Sequence, residues 1–243
     1  MSDWTGKRYW LVGASEGLGA ALARRMSAKG AELVLSARSK ESLEALAAEL
    51  PGPAQVQVID VSDDESVAEA AEAVGRVDGL VWLAGVYWPF PATEWNAGQA
   101  TAMADVNFTG AVRVLGEVMP DMVARDAGHI VLTSSLTGFR GLPGSIGYTA
   151  SKAGIMSLAE CMHADLRATG VRVQVVNPGF IRTRLTDKND FKMPFIMEPE
   201  AAAGEMLDHM ESRRFKKSFP WAFSLVFRVS QFLPDWLYFR IFS

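Results

Sequence analysis

Arg8-Tyr9-Trp10-Leu11-Val12-Gly13-Ala14-Ser15-Glu16-Gly17-Leu18-Gly19 runs from an apolar stretch into three spaced glycines, and an Ala/Leu/Met-rich segment continues to about Lys29. The apolar run has the length of a buried strand, the glycines break it, and the composition after them favours a helix. A strand, a glycine turn and a helix with free N–H groups at its start form a cradle for a pyrophosphate. In that cradle Gly13 takes the tight turn, Gly17 lets phosphate approach and Gly19 lets helix pack closely on sheet, with Ser15, Glu16 and Leu18 filling the turn. Glycines alone are a weak signal, so the rest of the chain has to supply the context.

It does so in repeated strand and helix units. A strand over 32–37 ends at Arg38, with Ser36, Ser39 and Lys40 close by. A carboxylate at that place would hold ribose hydroxyls; small residues followed by cations suit a 2′-phosphate, which a guanidinium can grip with two bonds. NADP is therefore the preferred cofactor, with NAD left open. A strand over 56–61 carries Asp60, a partner for an adenine amine, next to Val61, and Ser62-Asp63-Asp64-Glu65 opens a helix with a capping-box pattern. The apolar run 80–83 stops at Ala84-Gly85, where backbone can run beside a cofactor. Apolar strands at 130–132 and 171–176, separated by helical segments, predict a parallel sheet covered on both faces. The expected fold is one doubly wound, three-layer α/β/α domain of the Rossmann type over 1–212.

The chemistry sits in a second cluster. Ser134 and Ser135 follow a strand, a Gly/Pro-rich stretch comes next, and a helix over 150–168 is expected, with Tyr148 and Lys152 four residues apart at its start. That spacing puts both side chains on one side. An ammonium near a phenol and the positive end of a helix both favour phenolate, so the pattern predicts a Tyr148 pKa below its usual ~10.

Composition agrees. With 243 residues, 49% hydrophobic, the chain can bury a core without crosslinks, and its single cysteine, Cys161, excludes an internal disulfide. Cys161 is expected to pack inside the long helix. The three histidines, His129, His163 and His209, lack metal-ligand spacing, so no metal is expected. A net charge of −4 argues against nucleic acid as the main partner. With no signal-peptide pattern, the catalytic part is expected to face the cytoplasm.

Together these motifs resemble the short-chain dehydrogenases/reductases over about residues 6 to 200: Gly13-x-x-x-Gly17-x-Gly19, Asp60, Ala84-Gly85, Asn107, Ser135, Tyr148-x-x-x-Lys152 and Pro178-Gly179-x-Ile181-x-Thr183. The resemblance implies that Tyr148 is the acid/base, that Ser135 hydrogen-bonds the substrate oxygen, that Lys152 holds the nicotinamide ribose and that Asn107 supports a proton relay. It places Ile181 and Thr183 near the nicotinamide and implies a homodimer through the Tyr148 helix and 110–125. The family's usual Thr before the first glycine is Val12 here, and its Asn-Asn-Ala-Gly reads Trp82-Leu83-Ala84-Gly85, so Leu83 is expected to brace the loops by packing. Carbonyl reduction is the expected activity; NAD-linked oxidation of a 3-hydroxyacyl or steroid alcohol, and a catalytically silent nucleotide-binding regulator, are the alternatives.

The family commonly finishes with a glycine-containing strand, whereas 213–243 reads RRFKKSFPWAFSLVFRVSQFLPDWLYFRIFS and holds 10 of the 24 aromatics. A helix over 221–233, ended by Pro234, reaches only ~20 Å against a ~30 Å hydrocarbon core, and Arg228 interrupts it. The tail is expected either to lie on a membrane, at its inner face, or to fold over the substrate pocket or a dimer partner. The segment 184–199, with Phe191, Met193, Phe195, Ile196 and Met197, reads as an apolar lid, and the substrate as a hydrophobic carbonyl compound.

Overall fold

The computed structural model describes residues 4–189 and 192–242. Seven parallel strands, β1 (Arg8–Val12), β2 (Glu32–Ala37), β3 (Ala54–Val58), β4 (Gly79–Trp82), β5 (Gly128–Thr133), β6 (Val171–Pro178) and β7 (Lys216–Phe219), lie in the order β3-β2-β1-β4-β5-β6-β7. The order reverses between β1 and β4, the switch point where doubly wound sheets hold ligands.

Alternation along β1 sorts the two faces. Tyr9 and Leu11 join one core with α1 (Gly17–Ala28), α2 (Lys40–Glu49) and α7 (Pro199–Glu211). Trp10 and Val12 join the other with α3 (Asp64–Val74), α5 (Gly110–Ala124) and α6 (Ile146–Leu166). Trp10 opposes Val34 on one neighbour and Leu80 on the other, all fully buried, and its indole N–H donates to Ser36 Oγ at 2.8 Å. Burial of each such side chain is worth roughly 1.5–3 kcal/mol, and the satisfied N–H lets Trp10 sit there without cost.

Several expected boundaries move. β3 runs over Ala54–Val58, so Asp60 lies beyond the strand rather than at its end. Asp63, not Ser62, caps α3, accepting from the Glu65 and Ser66 amides, while Ser62 donates to Asp60. The helix of Tyr148 begins at Ile146, ahead of the expected 150, so Tyr148 is in its first turn. Cys161 is exposed on α6 rather than packed within it, because it falls on the side away from the sheet.

The largest difference is β7, which pairs with β6 inside the segment read as tail. Its lysines point to acids on flanking helices, Lys216 to Glu160 at 2.5 Å and Lys217 to Glu205 at 2.8 Å. Beyond it, α8 (Trp221–Ser230) and α9 (Asp235–Phe242) form a helical corner around Pro234, and Phe227 and Tyr238 are buried. No helix among the described residues is long and apolar enough to cross a membrane.

Candidate active site

A cleft of about 680 Å³ opens at the carboxyl ends of the strands, around the switch point. Gly13, Ser15, Glu16, Gly17, Leu18 and Gly19 line it from the turn between β1 and α1. Arg38 lines it after β2, Asp60 and Val61 after β3, Ala84 and Gly85 after β4, Tyr148 and Lys152 from α6, and Pro178, Gly179, Ile181 and Thr183 at and after the end of β6.

The glycine turn is built by close approach. Gly13 has φ +96°, and a Cβ there would lie 2.4 Å from the Ala84 nitrogen; one on Gly19 would lie 2.1 Å from the Gly13 carbonyl oxygen. Only glycine lets β1, α1 and the end of β4 meet so tightly. The Gly13 and Ala14 amides donate to the Ser36 carbonyl, and Leu83 N–H donates to the Val12 carbonyl while its side chain packs on the core, so Leu83 does brace the loop as expected. Glu16, the cap residue of α1, makes no side-chain cap bond, which leaves the N–H groups of the first turn facing the cleft. Glu16 instead pairs with Arg184 across the rim. Asp60 accepts from the Ser62 hydroxyl and amide, which with the nearby Arg38 charge hold its carboxyl below the usual range, ionised and ready to accept from an amine. Arg38 stands exposed at the rim.

Ser135, buried just after β5, does not itself line the cleft; it hydrogen-bonds Tyr148, which does. Lys152 is buried and donates to the Thr133 carbonyl at 3.0 Å, its only hydrogen bond among the described residues, with Nζ 5.6 Å from the Tyr148 ring centre. An ammonium has three donors, so two are free on the cleft side. Asn107 does not line the cleft. It sits fully buried in a π-helical turn, Asp105–Thr109, between α4 (Ala97–Ala104) and α5. Its Oδ1 accepts from the Val86 amide at 2.7 Å, and its Nδ2 donates to the Val86 carbonyl and Ser151 Oγ. The widened turn aims one side chain sideways out of the helix, a common use of such bulges.

The expected depression of the Tyr148 pKa is corrected by burial. Desolvation pushes its phenol up to about 12 against the Ser135 hydrogen bond that lowers it, and desolvation alone brings Lys152 down to about 8. Lys152 Nζ does stand near the Tyr148 ring as the spacing requires, but the low dielectric around both groups governs their ionisation.

Tyr87 escapes the sequence reading. Its ring meets Tyr148 edge-on at 5.1 Å, its hydroxyl donates to Asn189 Oδ1, and Lys188 donates to its carbonyl. The Tyr-Trp pair just after Ala84-Gly85 was the available signal. The apolar segment 184–199 is tied down where Ile181 bridges Met197, and Phe195 stacks on Phe223 of α8. Phe191 lies outside the described residues.

The glycine cradle, the uncapped helix start, the ionised Asp60 and the free Lys152 donors fit a dinucleotide. Comparisons agree. The short chain dehydrogenase model matches residues 7–193. An uncharacterized oxidoreductase of Myxococcus xanthus is 37% identical over 247 residues, covering 98% of this chain and 97% of its own. A 3-oxoacyl-(acyl-carrier-protein) reductase of Thermotoga maritima is 33% identical, covering 87% and 85%. Among solved structures, a short-chain dehydrogenase from Sphingobium yanoikuyae in complex with NADPH superposes with a TM-score of 0.83 at 25% identity, over 94% of this chain and 97% of that one. This chain belongs to the short-chain dehydrogenase family of NAD(P)-dependent oxidoreductases.

Proposed function

We propose that the protein reduces the carbonyl group of a hydrophobic, lipid-like substrate with NADPH, and that Tyr148 donates the proton. The observation that carries this reading is the Tyr148 hydroxyl, kept protonated by burial, hydrogen-bonded to Ser135 and set in the wall of a dinucleotide cleft. NADPH, when bound, supplies the hydride. Negative charge developing on the carbonyl oxygen is met by the hydroxyls of Ser135 and Tyr148, and the Tyr148 proton passes to that oxygen, leaving a secondary alcohol and a phenolate. Lys152 favours that phenolate by its charge, and the Asn107 to Ser151 contact, continued by the Ser151 hydroxyl to the Tyr148 carbonyl, holds the helix start in place for proton resupply.

Preference for NADP rests on Arg38 at the rim where a ribose-binding carboxylate would otherwise stand. An apolar substrate is supported by Phe180 and Phe195, which meet Phe223 at 5.7 and 5.6 Å beside the cleft, and by the 3-oxoacyl substrate named for the Thermotoga relative. A homodimer through the outer faces of α5 and α6 is supported by exposed Val112 and Val123.

The test is fluorescence titration with NADPH and NADH, followed by turnover of long-chain and short polar ketones. Arg38→Asp should weaken NADPH binding by about tenfold or more while sparing NADH, given the ~1.5–3 kcal/mol carried by a charged hydrogen bond. Tighter NADH than NADPH binding by the intact protein, or a preference for polar ketones, would overturn the reading.

A further inference from the structure

We propose that the outward face of α8 and α9 docks the protein onto an anionic lipid bilayer, and that a recess between β7 and α8 takes a headgroup phosphate. The proposal stands apart from the reductase reading, so either can fail alone.

An ordinary surface helix turns polar residues outward. In α8 the buried face holds Ser224, Phe227 and Ser230, while Trp221, Val226, Val229 and Phe232 just beyond its end face solvent. In α9 Tyr238 is buried and Trp236, Phe239 and Ile241 are exposed. Seven of the twelve exposed large apolar side chains described thus fall in this corner, with Phe232 87% and both tryptophans 70% exposed. Apolar exposure concentrated in one corner in this way marks an interaction surface.

The patch is held rigidly. Arg140 donates to the Ser230 and Leu233 carbonyls at 2.7 Å and to Asp235 at 2.5 Å, and its guanidinium lies 3.9 Å over the Tyr238 ring. The Tyr238 hydroxyl donates to the Gly141 carbonyl at 2.6 Å. Little ordering remains to be done when a partner arrives.

Charge selects the partner. The whole chain carries −4, yet Asp235 is the only acid in 221–242 and Arg140 already neutralises it. Arg228 and Arg240 have no ion pair among the described residues. Two-fold pairing of this face with a second copy would set cation against cation, whereas an anionic bilayer complements it. The recess, about 390 Å³, is lined by Lys216, Ser218, Arg228 and Gln231 between Phe139 and Phe232. It offers cations and neutral donors to a phosphate, although Lys216 is shared with Glu160, and it lies beside the most exposed aromatic ring. Helices of 10 and 8 residues reach only ~15 and ~12 Å, so they lie in the interface and do not cross it.

The test is sedimentation of the full chain with vesicles of phosphatidylcholine alone or mixed with phosphatidylglycerol. Binding is expected to the mixed vesicles, to fall at raised salt, and to be at least about tenfold weaker on phosphatidylcholine. Arg228→Gln should weaken it about fivefold, and Trp221→Ser combined with Phe232→Ser by more than about tenfold, both with unchanged melting temperature. No binding to the mixed vesicles, or variants that bind as well as the parent, would overturn the proposal. So would a fall in solution mass in the double variant, which would show a second copy covering the face.

Discussion

The two ends of β5 hold buried polar groups in opposite states. Near its start, His129 Nδ1 accepts from the Tyr9 hydroxyl at 2.8 Å and from Arg172 at 2.9 Å, and Nε2 faces Gln174 Oε1 at 2.8 Å. Both nitrogens are used with the proton on Nε2, and Gln174 in turn donates to the carbonyls of His209, Ser212 and Arg214, tying β5 and β6 to the chain that leads into β7. At the other end, roughly 13 Å away at a strand's ~3.3 Å per residue, Thr133 Oγ1 and Asn177 Oδ1 are buried without a partner among the described residues. Lys152 there uses one donor of three. A fully satisfied network fixes a structure; an incomplete one is what a site keeps for its ligands.

The sharpest way to break this contrast is one substitution at each end. Tyr148→Phe removes the proposed proton donor, so turnover should fall by about 10²–10⁴, with NADPH binding and melting temperature close to the parent. Steady-state rates on a ketone beside a thermal melt would show it, and retained turnover would refute the role of Tyr148. His129→Leu at the satisfied end should do the reverse. It leaves the Tyr9 hydroxyl and the Arg172 guanidinium short of a buried acceptor, at a cost of about 3–5 kcal/mol in urea unfolding. Turnover per folded molecule should change by less than about twofold, because the site is too far away to couple.

Acid probes the same network more gently. Burial, with Arg172 adding, drives the His129 pKa down to about 3, and burial brings His209 down to about 4. Both are neutral in the fold, whereas the unfolded chain takes up protons below about pH 6.5. Stability should therefore be full above pH 6.5 and decline as pH falls toward 3, with His129 contributing a slope of up to ~1.4 kcal/mol per pH unit. Urea midpoints that stay flat from pH 7 to about 4 would contradict a buried neutral pair.

How much of this was readable in the sequence follows burial and charge. β2 was bounded correctly because Glu32 and Arg38 bracket an apolar run, and β1 because Gly13 ends it. β7 was hidden because Lys216-Lys217-Ser218-Phe219 has no apolar run: it is an edge strand, whose lysines gain their place from Glu160 and Glu205 on other elements. The cleft-lining residues came from motifs whose spacing is itself geometric. Asn107 was placed by motif, but the π turn that aims it is a backbone feature without a residue signature. The direction of the Tyr148 pKa is hidden for the same reason as β7, since burial is a property of the assembled core and spacing along a helix reports only proximity.

Lys152 offers the finest test of the comparison, since it is the incomplete end's counterpart to His129. Burial lowers its pKa to about 8 from 10.5, so above about pH 8 the cofactor-free fold holds the neutral amine while the unfolded chain keeps its proton to higher pH. Between pH 8 and 10 the unfolded state binds more protons, and stability should rise with pH from this group, by at most ~1.4 kcal/mol per unit. Above pH 10 the trend turns, because the unfolded chain can ionise tyrosines while Tyr148, held near 12, cannot. Lys152→Met should remove the rise and leave the acid limb set by His129 untouched. The two ends of one strand would then titrate separately, the satisfied network weakening in acid and the open site relaxing in base. A parent profile without any rise between pH 8 and 10, or a Met variant that keeps it, would mean that the burial strain at the site lies elsewhere than on Lys152.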